Sequence, residues 1–317
     1  MFRLLGNALS PAGNRARLAV LMFHRVTAAP DPILPDVMDA FTFERHMAFI
    51  KREFNVLPLG EACARHAKRS LPARAACITF DDGYADNEQI ALPILKRVGV
   101  PATFFVATGF LDGSTMFNDG VIEVVRTAPD GVHDLGALGL PAYALGDTAS
   151  RLAAIDSLIK LLKYRVADER GMLVARLADA MGGVSPKNLM MHPAQVRRLR
   201  DQGMEIGGHT VNHPILMGLD EQEARTEIVD GKHLLEEITG AQVTLFAYPN
   251  GKPGKDYGPQ HVRLVREAGF SAAVSTVSSV ADRASDVFQL PRLSPWERNP
   301  HRLGLRLLMN CVRTLPA

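Results

Sequence analysis

The chain has 317 residues, 47% of them hydrophobic, and a formal net charge of +2. That length admits two ordinary domains or one large α/β barrel, and the apolar content is ample for a packed core. Near-neutral charge argues against a dedicated nucleic-acid binder. Three widely spaced cysteines (Cys63, Cys77 and Cys311) argue against a disulfide framework and for a reducing compartment.

At the start of the chain, the apolar patch FRLLGNAL is followed by RAR and then LAVLMF. The second apolar run is too short and too late for a secretory signal, and no stretch approaches the roughly 20 apolar residues that span a bilayer. A soluble cytoplasmic protein is the expectation. Strands are predicted at Leu18–His24, Asn55–Leu59, Ala75–Phe80, Ala102–Ala107, Met204–Gly207, Val243–Tyr248, Ala272–Thr276 and Phe288–Leu293. Helical patterns fall between many of them: Ala85–Val98, with Pro93 at a kink; Pro193–Gln202; and Asp220–Thr239. The last opens on a capping box, Asp220 with Glu223, carries Ala224, Ile228, Leu235 and Ile238 on one face, and stops at Gly240. Such βα alternation predicts a parallel sheet or barrel.

The rhythm breaks over residues 111–188, where no strand is evident. Helices are predicted there in SRLAAIDSLIKLLKYRV, with Leu152, Ile155, Ile159 and Leu162 on one face, and in MLVARLADAM. We read this stretch as a mainly helical insertion within a single domain spanning 1–317, able to cover a site or bind a partner. Residues 300–317 form a C-terminal amphipathic helix, with arginines among Leu, Met and Val. It either docks on the protein's own core or lies on an anionic membrane as a peripheral contact.

Unusual polar residues gather just past the ends of the apolar runs: His24-Arg25, Asp81-Asp82-Gly83, the segment Gly208–Pro214, Pro249-Asn250-Gly251 and Pro291-Arg292. In a parallel barrel these C-terminal strand ends converge on one face, where active sites are built. Adjacent carboxylates repel, and a buried one is costly unless neutralised, so Asp81-Asp82 marks either a solvated turn or a metal site. His209 and His213, three residues apart, can approach one metal from a compact loop; the alternative is a surface turn with two solvated imidazoles. The aspartates would supply the anionic ligand and, because successive side chains diverge, a free carboxylate as general base. Two histidines and one carboxylate leave an open coordination position, as in catalytic zinc sites.

TFDDG at Thr79–Gly83, HTVNHP at His209–Pro214 and FAYPNG at Phe246–Gly251 together resemble the signatures of the polysaccharide deacetylases, the NodB-type or family 4 carbohydrate esterases. PATFFV and MEIGGHT add flanking similarity, and FHRV with FAYP marks a variant of the pattern. The resemblance covers roughly Leu18 to Ser294 apart from most of the insertion. It implies a distorted (β/α)7-type barrel, here with the mainly helical insertion read above, and metal-dependent removal of acetyl groups from sugars; the lack of an export signal and the terminal amphipathic stretch point to an amino sugar in a glycan or lipid-linked glycan precursor. The resemblance further implies that Asp82, His209 and His213 hold Zn2+ or another divalent transition metal, and that Asp81 takes a proton from the attacking water. The backbone N–H of Asn250 would hold the oxyanion.

The sequence departs from the family pattern at two points. The third motif commonly carries an arginine where Ala247 stands, and Arg292 either replaces it or forms a structural ion pair. No late Leu-x-His motif supplies the general acid. His24, after the first strand, resembles the acid of permuted family members, or else is a buried histidine of the barrel floor. Two other functions stay open: an amidohydrolase acting on a non-sugar amide or imide with the same barrel, and a non-catalytic carbohydrate-binding protein.

Overall fold

A computed structural model describes residues 2–163, 165, 167–184 and 188–312. The chain divides into two compact units, one of residues 1–29, 36–112 and 191–317, the other of residues 30–35 and 113–190. The terminal residues 313–317 of the expected C-terminal helix lie outside the described residues.

The larger unit is built on a seven-stranded sheet whose paired strands all run parallel. Its path runs through Leu18–Phe23, Ala75–Phe80, Thr103–Val106, Glu205–Gly208, Leu245–Ala247 and Ala272–Val274, with Asn55–Val56 pairing at the start of the second of these. The segment expected as a strand over Phe288–Leu293 is not one. It makes two isolated parallel bridges instead, Leu290 to Val274 on the last strand and Leu293 to Leu21 on the first, which carry the sheet round on itself. Pro291 between them has no N–H to donate, so a continuous ladder cannot form there. The expected distorted (β/α)7-type barrel is thus present.

Alternation along the strands sorts the core into two sets. Leu18, Val20, Ala75, Cys77, Phe105, Ala247 and Val274 share one buried cluster, while Ala19, Leu21, Phe23, Ile78, Phe80, Phe104 and Phe246 belong to another with helical residues such as Phe43 and Met47. The register sets Phe23 opposite Phe80 and Phe80 opposite Phe104, and their rings stack at 5.3 and 4.8 Å. Because side chains change face at each residue, the next position after Phe80, Asp81, falls on the Cys77 and Thr79 side.

The helices follow expectation in the main. Asp220 caps Glu221–Thr239, its carboxylate accepting from the Glu223 N–H and Glu223 reaching back to the Asp220 N–H. The Ala85–Val98 expectation changes in detail: a π-helical turn, Asn87–Ala91, runs directly into an α-helix at Leu92–Val98, and Pro93, which has no N–H to donate, stands just past the join. At the other end of the chain, helix Pro300–Asn310 buries Leu303, Gly304, Leu307 and Leu308.

Helix Ala40–Glu53 carries a fully buried histidine, His46, whose Nδ1–H donates to the Thr42 carbonyl at 2.8 Å. Burial disfavours its charge and holds its pKa below the ordinary histidine value. The folded protein therefore binds fewer protons here than the unfolded chain. This histidine's stabilising share is complete above the ordinary histidine pKa and declines as pH falls below it. Chemical denaturation between about pH 7.5 and 5 should show a shallower loss of stability in His46→Gln than in the native protein; equal slopes would count against this assignment.

The smaller unit has its own core, with Val121, Val124, Leu158, Leu162, Leu177 and Met181 among its members. Helices Phe117–Thr127, Thr148–Leu162 and Ala167–Met181 supply it. The absence of strands expected between residues 111 and 188 is corrected here: Gly131–His133 and Tyr143–Leu145 pair as an antiparallel hairpin. Within the same unit Arg126 joins Asp31 at 2.8 Å and Glu123 at 3.0 Å.

Candidate metal centre and active site

The strand Ala75–Phe80 delivers Asp81 and Asp82 in different directions because the backbone turns sharply after Asp81. Asp82 adopts a left-handed conformation (φ 78°) and Gly83 another (φ 94°). For an aspartate this strains the backbone by about 1–3 kcal/mol; the Asp82 carbonyl, which accepts from the Ala107 N–H, and the Gly83 carbonyl, which accepts from Met191, help hold it. Thr210, His213 and Asn250 are also left-handed, so four of the seven non-glycine residues with positive φ lie in these motifs, among the described residues. Such strain persists only where surrounding structure over-determines it.

The loop that carries the histidines is held from outside. Glu227, on helix Glu221–Thr239, accepts hydrogen bonds from the backbone N–H groups of Val211 and Asn212 at 2.9 and 2.8 Å, and from the Asn212 side chain at 2.7 Å. Four residues later on that helix, Gly231 lies so close that a Cβ would stand 2.9 Å from the Thr210 backbone. Gly231→Ala should therefore shift the loop, at a cost of about 1–3 kcal/mol, and weaken metal affinity roughly tenfold. Thermal unfolding and zinc titration would show both effects, and unchanged values would contradict the close packing.

Asp82, His209 and His213 converge. Their ligand atoms all lie within 4.8 Å of one another, and Asp82 Oδ1 is 3.4 Å from His209 Nε2 and 3.5 Å from His213 Nε2. That oxygen is buried and has no hydrogen-bond partner among the described residues, an arrangement costly without a cation. His209 donates its Nδ1–H to the Ala247 carbonyl at 2.8 Å, which fixes the tautomer and turns Nε2 toward Asp82. Burial alone would raise the Asp82 carboxyl, but the imidazoles of His209, His213 and His24 bring it well below the usual carboxylate range. Burial pushes His213 down to about 4, leaving it neutral and able to ligate at neutral pH. The donor set, two neutral-capable imidazoles and one carboxylate, fits a divalent transition metal with an open position.

Asp81 makes a different set of contacts. Arg292 grips it with two parallel hydrogen bonds, Nη1 to Oδ1 and Nη2 to Oδ2, both 2.7 Å. Asp81 is 3% exposed and Arg292 1%. The guanidinium is itself fixed by the Ser275 carbonyl (2.9 Å) and Thr79 Oγ1 (3.2 Å), and it lies over the Phe105 ring. Burial pushes the Asp81 carboxyl up, yet Arg292 and His209 outweigh it and hold it below its ordinary value. Arg292 thus reaches the first motif from the barrel-closing segment, while Ala247, at the position that commonly carries arginine, contributes only its carbonyl to His209.

His24 is exposed rather than buried in a barrel floor, and its charge is felt by Asp81, Asp82 and His213. Asn87 Nδ2 holds the His24 carbonyl at 2.8 Å, and Asp86 accepts from Arg25 Nε at 2.8 Å and from the Val26 N–H at 3.3 Å. Asn250 is half-buried. Its carbonyl accepts from Thr276 Oγ1 at 2.6 Å, whereas its backbone N–H meets no acceptor among the described residues. Glu227, Asp86 and Asn87 escape a reading by motif. Only the unusual burial of Asp86 and Asn87 in YADN, just past the paired aspartates, offers a retrospective signal.

A polysaccharide deacetylase family model matches residues 68–140 and 172–273, more than half of the chain. The chain belongs to the polysaccharide deacetylase family. As a member it is a hydrolase of carbon–nitrogen bonds other than peptide bonds, of a metal-dependent family. Among curated proteins this deacetylase is 22% identical over 280 residues to YxkH of Bacillus subtilis strain 168, named as a polysaccharide deacetylase, covering 88% of this chain and 71% of that one. Among solved structures it is similar to the Streptococcus pyogenes deacetylase PplD in complex with acetate, with a TM-score of 0.63 at 19% identity, over 92% of this chain and 98% of that one. IcaB from Ammonifex degensii is similar too, with a TM-score of 0.61 at 17% identity, over 94% and 98%. At these identities the two structures speak for the barrel fold alone.

Proposed function

We propose that the chain removes N-acetyl groups from an amino sugar in a glycan or lipid-linked glycan precursor, and that Asp82, His209 and His213 hold the metal, zinc by preference. The observation that carries this reading is the orphaned, buried Asp82 Oδ1 facing two imidazole nitrogens beside an aspartate that the metal set does not need. A divalent metal held there would polarise the acetyl carbonyl and make a water more acidic.

The protein's own groups supply the rest. Asp81 accepts the proton of the attacking water. Arg292 fixes both its oxygens in place and keeps it anionic, while each oxygen retains a lone pair. The Asn250 N–H, which meets no acceptor among the described residues, donates to the developing oxyanion. His24, exposed beside the two aspartates, gives its proton to the departing amine, without which the amine is a poor leaving group. The three cysteines are free and buried, which supports a cytoplasmic setting, and a peripheral hold on the membrane would suit a lipid-linked substrate.

Acetate release should be screened over chito-oligosaccharides and over nucleotide- and lipid-linked N-acetylhexosamines, with cyclic ureides alongside. Release from an N-acetylhexosamine is expected. Turnover of cyclic ureides without any release from the sugars would replace this reading by the amidohydrolase one.

A further inference from the structure

The C-terminal helix Pro300–Asn310 has two apolar faces, of which packing within the protein uses one. Leu303, Gly304, Leu307 and Leu308 are buried, yet Leu305 is 54% exposed, Met309 49% and, just past the helix, Val312 65%. With the exposed Arg302 these follow one another at spacings of three and four residues, a single helical face. Trp296, 57% exposed, joins them: it lines one groove together with Leu305, Met309, Arg302 and Arg306. Arg306 pairs with Glu297 and lies 3.9 Å over the indole, which keeps the ring presented at the surface. The helix contains no Asp or Glu, and the Arg302 guanidinium has no acidic partner among the described residues. Helix Phe2–Leu9, packed beside it through Gly6 and Leu308, leaves Leu4 77% and Leu5 51% exposed.

Exposed apolar side chains gathered on one strip mark an interaction surface, unlike apolar residues scattered singly. Its chemistry is that of a helix lying in a lipid interface: leucine and methionine toward the acyl boundary, an indole at headgroup depth and arginine among the phosphates. None of the described helices is long and apolar enough to cross a membrane, so contact through them would be peripheral. We propose that this face docks the protein on an anionic phospholipid bilayer, with Trp296, Leu305 and Met309 entering the interface and Arg302 meeting the headgroup phosphates. The charge pattern selects lipid over a second copy of the chain, which would set Arg302 against Arg302 or apolar surface.

Trp296 is the one tryptophan of the sequence, so its fluorescence reports on this face alone. With the full chain and vesicles of phosphatidylglycerol and phosphatidylcholine, co-sedimentation is expected together with a blue shift of the tryptophan emission and its quenching by brominated acyl chains. Pure phosphatidylcholine should bind about tenfold more weakly. Leu305→Gln with Met309→Gln should reduce partitioning about tenfold, and Arg302→Glu should abolish the preference for the anionic lipid. Acetate release from a soluble substrate should be unaltered in both variants, which certifies their folding. Three results would overturn the proposal: no co-sedimentation at low salt, binding undiminished in both variants, or a blue shift that depends on protein concentration and not on vesicles, the mark of self-association.

Discussion

Replacing Asp81 by asparagine is expected to lower turnover by about a thousandfold while leaving one metal ion bound per chain. Asparagine keeps the shape of the side chain and removes the basic oxygen. The three groups that converge on the metal position, Asp82, His209 and His213, are untouched by the exchange. A purely structural ion pair would give near-native turnover in the fraction that stays folded; some loss of stability is expected either way, because Arg292 loses its buried partner. Metal content by atomic spectroscopy and steady-state acetate release on the same sample separate the two outcomes. Full turnover in Asp81→Asn would remove Asp81 from the chemistry.

The second large effect is expected at Arg292. Arg292→Ala leaves Asp81 buried without its partner, and removing one member of a buried ion pair typically costs about 3–5 kcal/mol. Arg292→Lys should recover part of this, since a lysine supplies the charge but cannot make two parallel hydrogen bonds. The pH dependence follows from the direction of the Asp81 shift. In the native protein its carboxyl is held below the ordinary aspartate value, so its stabilising share is present above that value and is lost as pH falls through the lowered one. Without Arg292, burial dominates and the carboxyl rises. The acid limb of kcat/KM should therefore move to higher pH in Arg292→Ala, and stability should no longer fall with acidification in the same range. Urea unfolding and a pH–rate profile check both, and an unmoved acid limb would show that Arg292 does not govern the ionisation of Asp81.

Much of this site could be read from the chain because one physical rule links pattern to place. Apolar, β-favouring runs end at the same face of a parallel barrel, so the polar residues that follow them meet there. The run ending at Phe80 is matched residue for residue by the strand, and the capping box at Asp220 and Glu223 is local chemistry that needs no tertiary context. What stayed hidden depends on partners distant in sequence. Glu227 reads as one more exposed helical acid until the helix is laid against the histidine loop. The bidentate pairing of Arg292 with Asp81 depends on how the barrel closes, through isolated bridges at Leu290 and Leu293 that Pro291 keeps from becoming a strand. The hairpin of Gly131–His133 with Tyr143–Leu145 is three residues a side and mostly solvent-facing, so it lacks the apolar alternation that announces a strand. The C-terminal helix offered two readings, its own core or a membrane, and its burial pattern accommodates the first without consuming the apolar surface that motivates the second.

The most direct test is a metal titration of the stripped protein followed on two channels, bound metal and acetate release. Cobalt(II) serves beside zinc, because its visible spectrum reports the ligand set. Acetate release is expected to rise in proportion to bound metal and to saturate at one ion per chain, with a spectrum of low-coordinate nitrogen and oxygen ligation that is lost in His213→Ala. Full acetate release from the metal-stripped protein, or tight binding of one ion with an unchanged spectrum in His213→Ala, would contradict the assignment of Asp82, His209 and His213 as the metal centre.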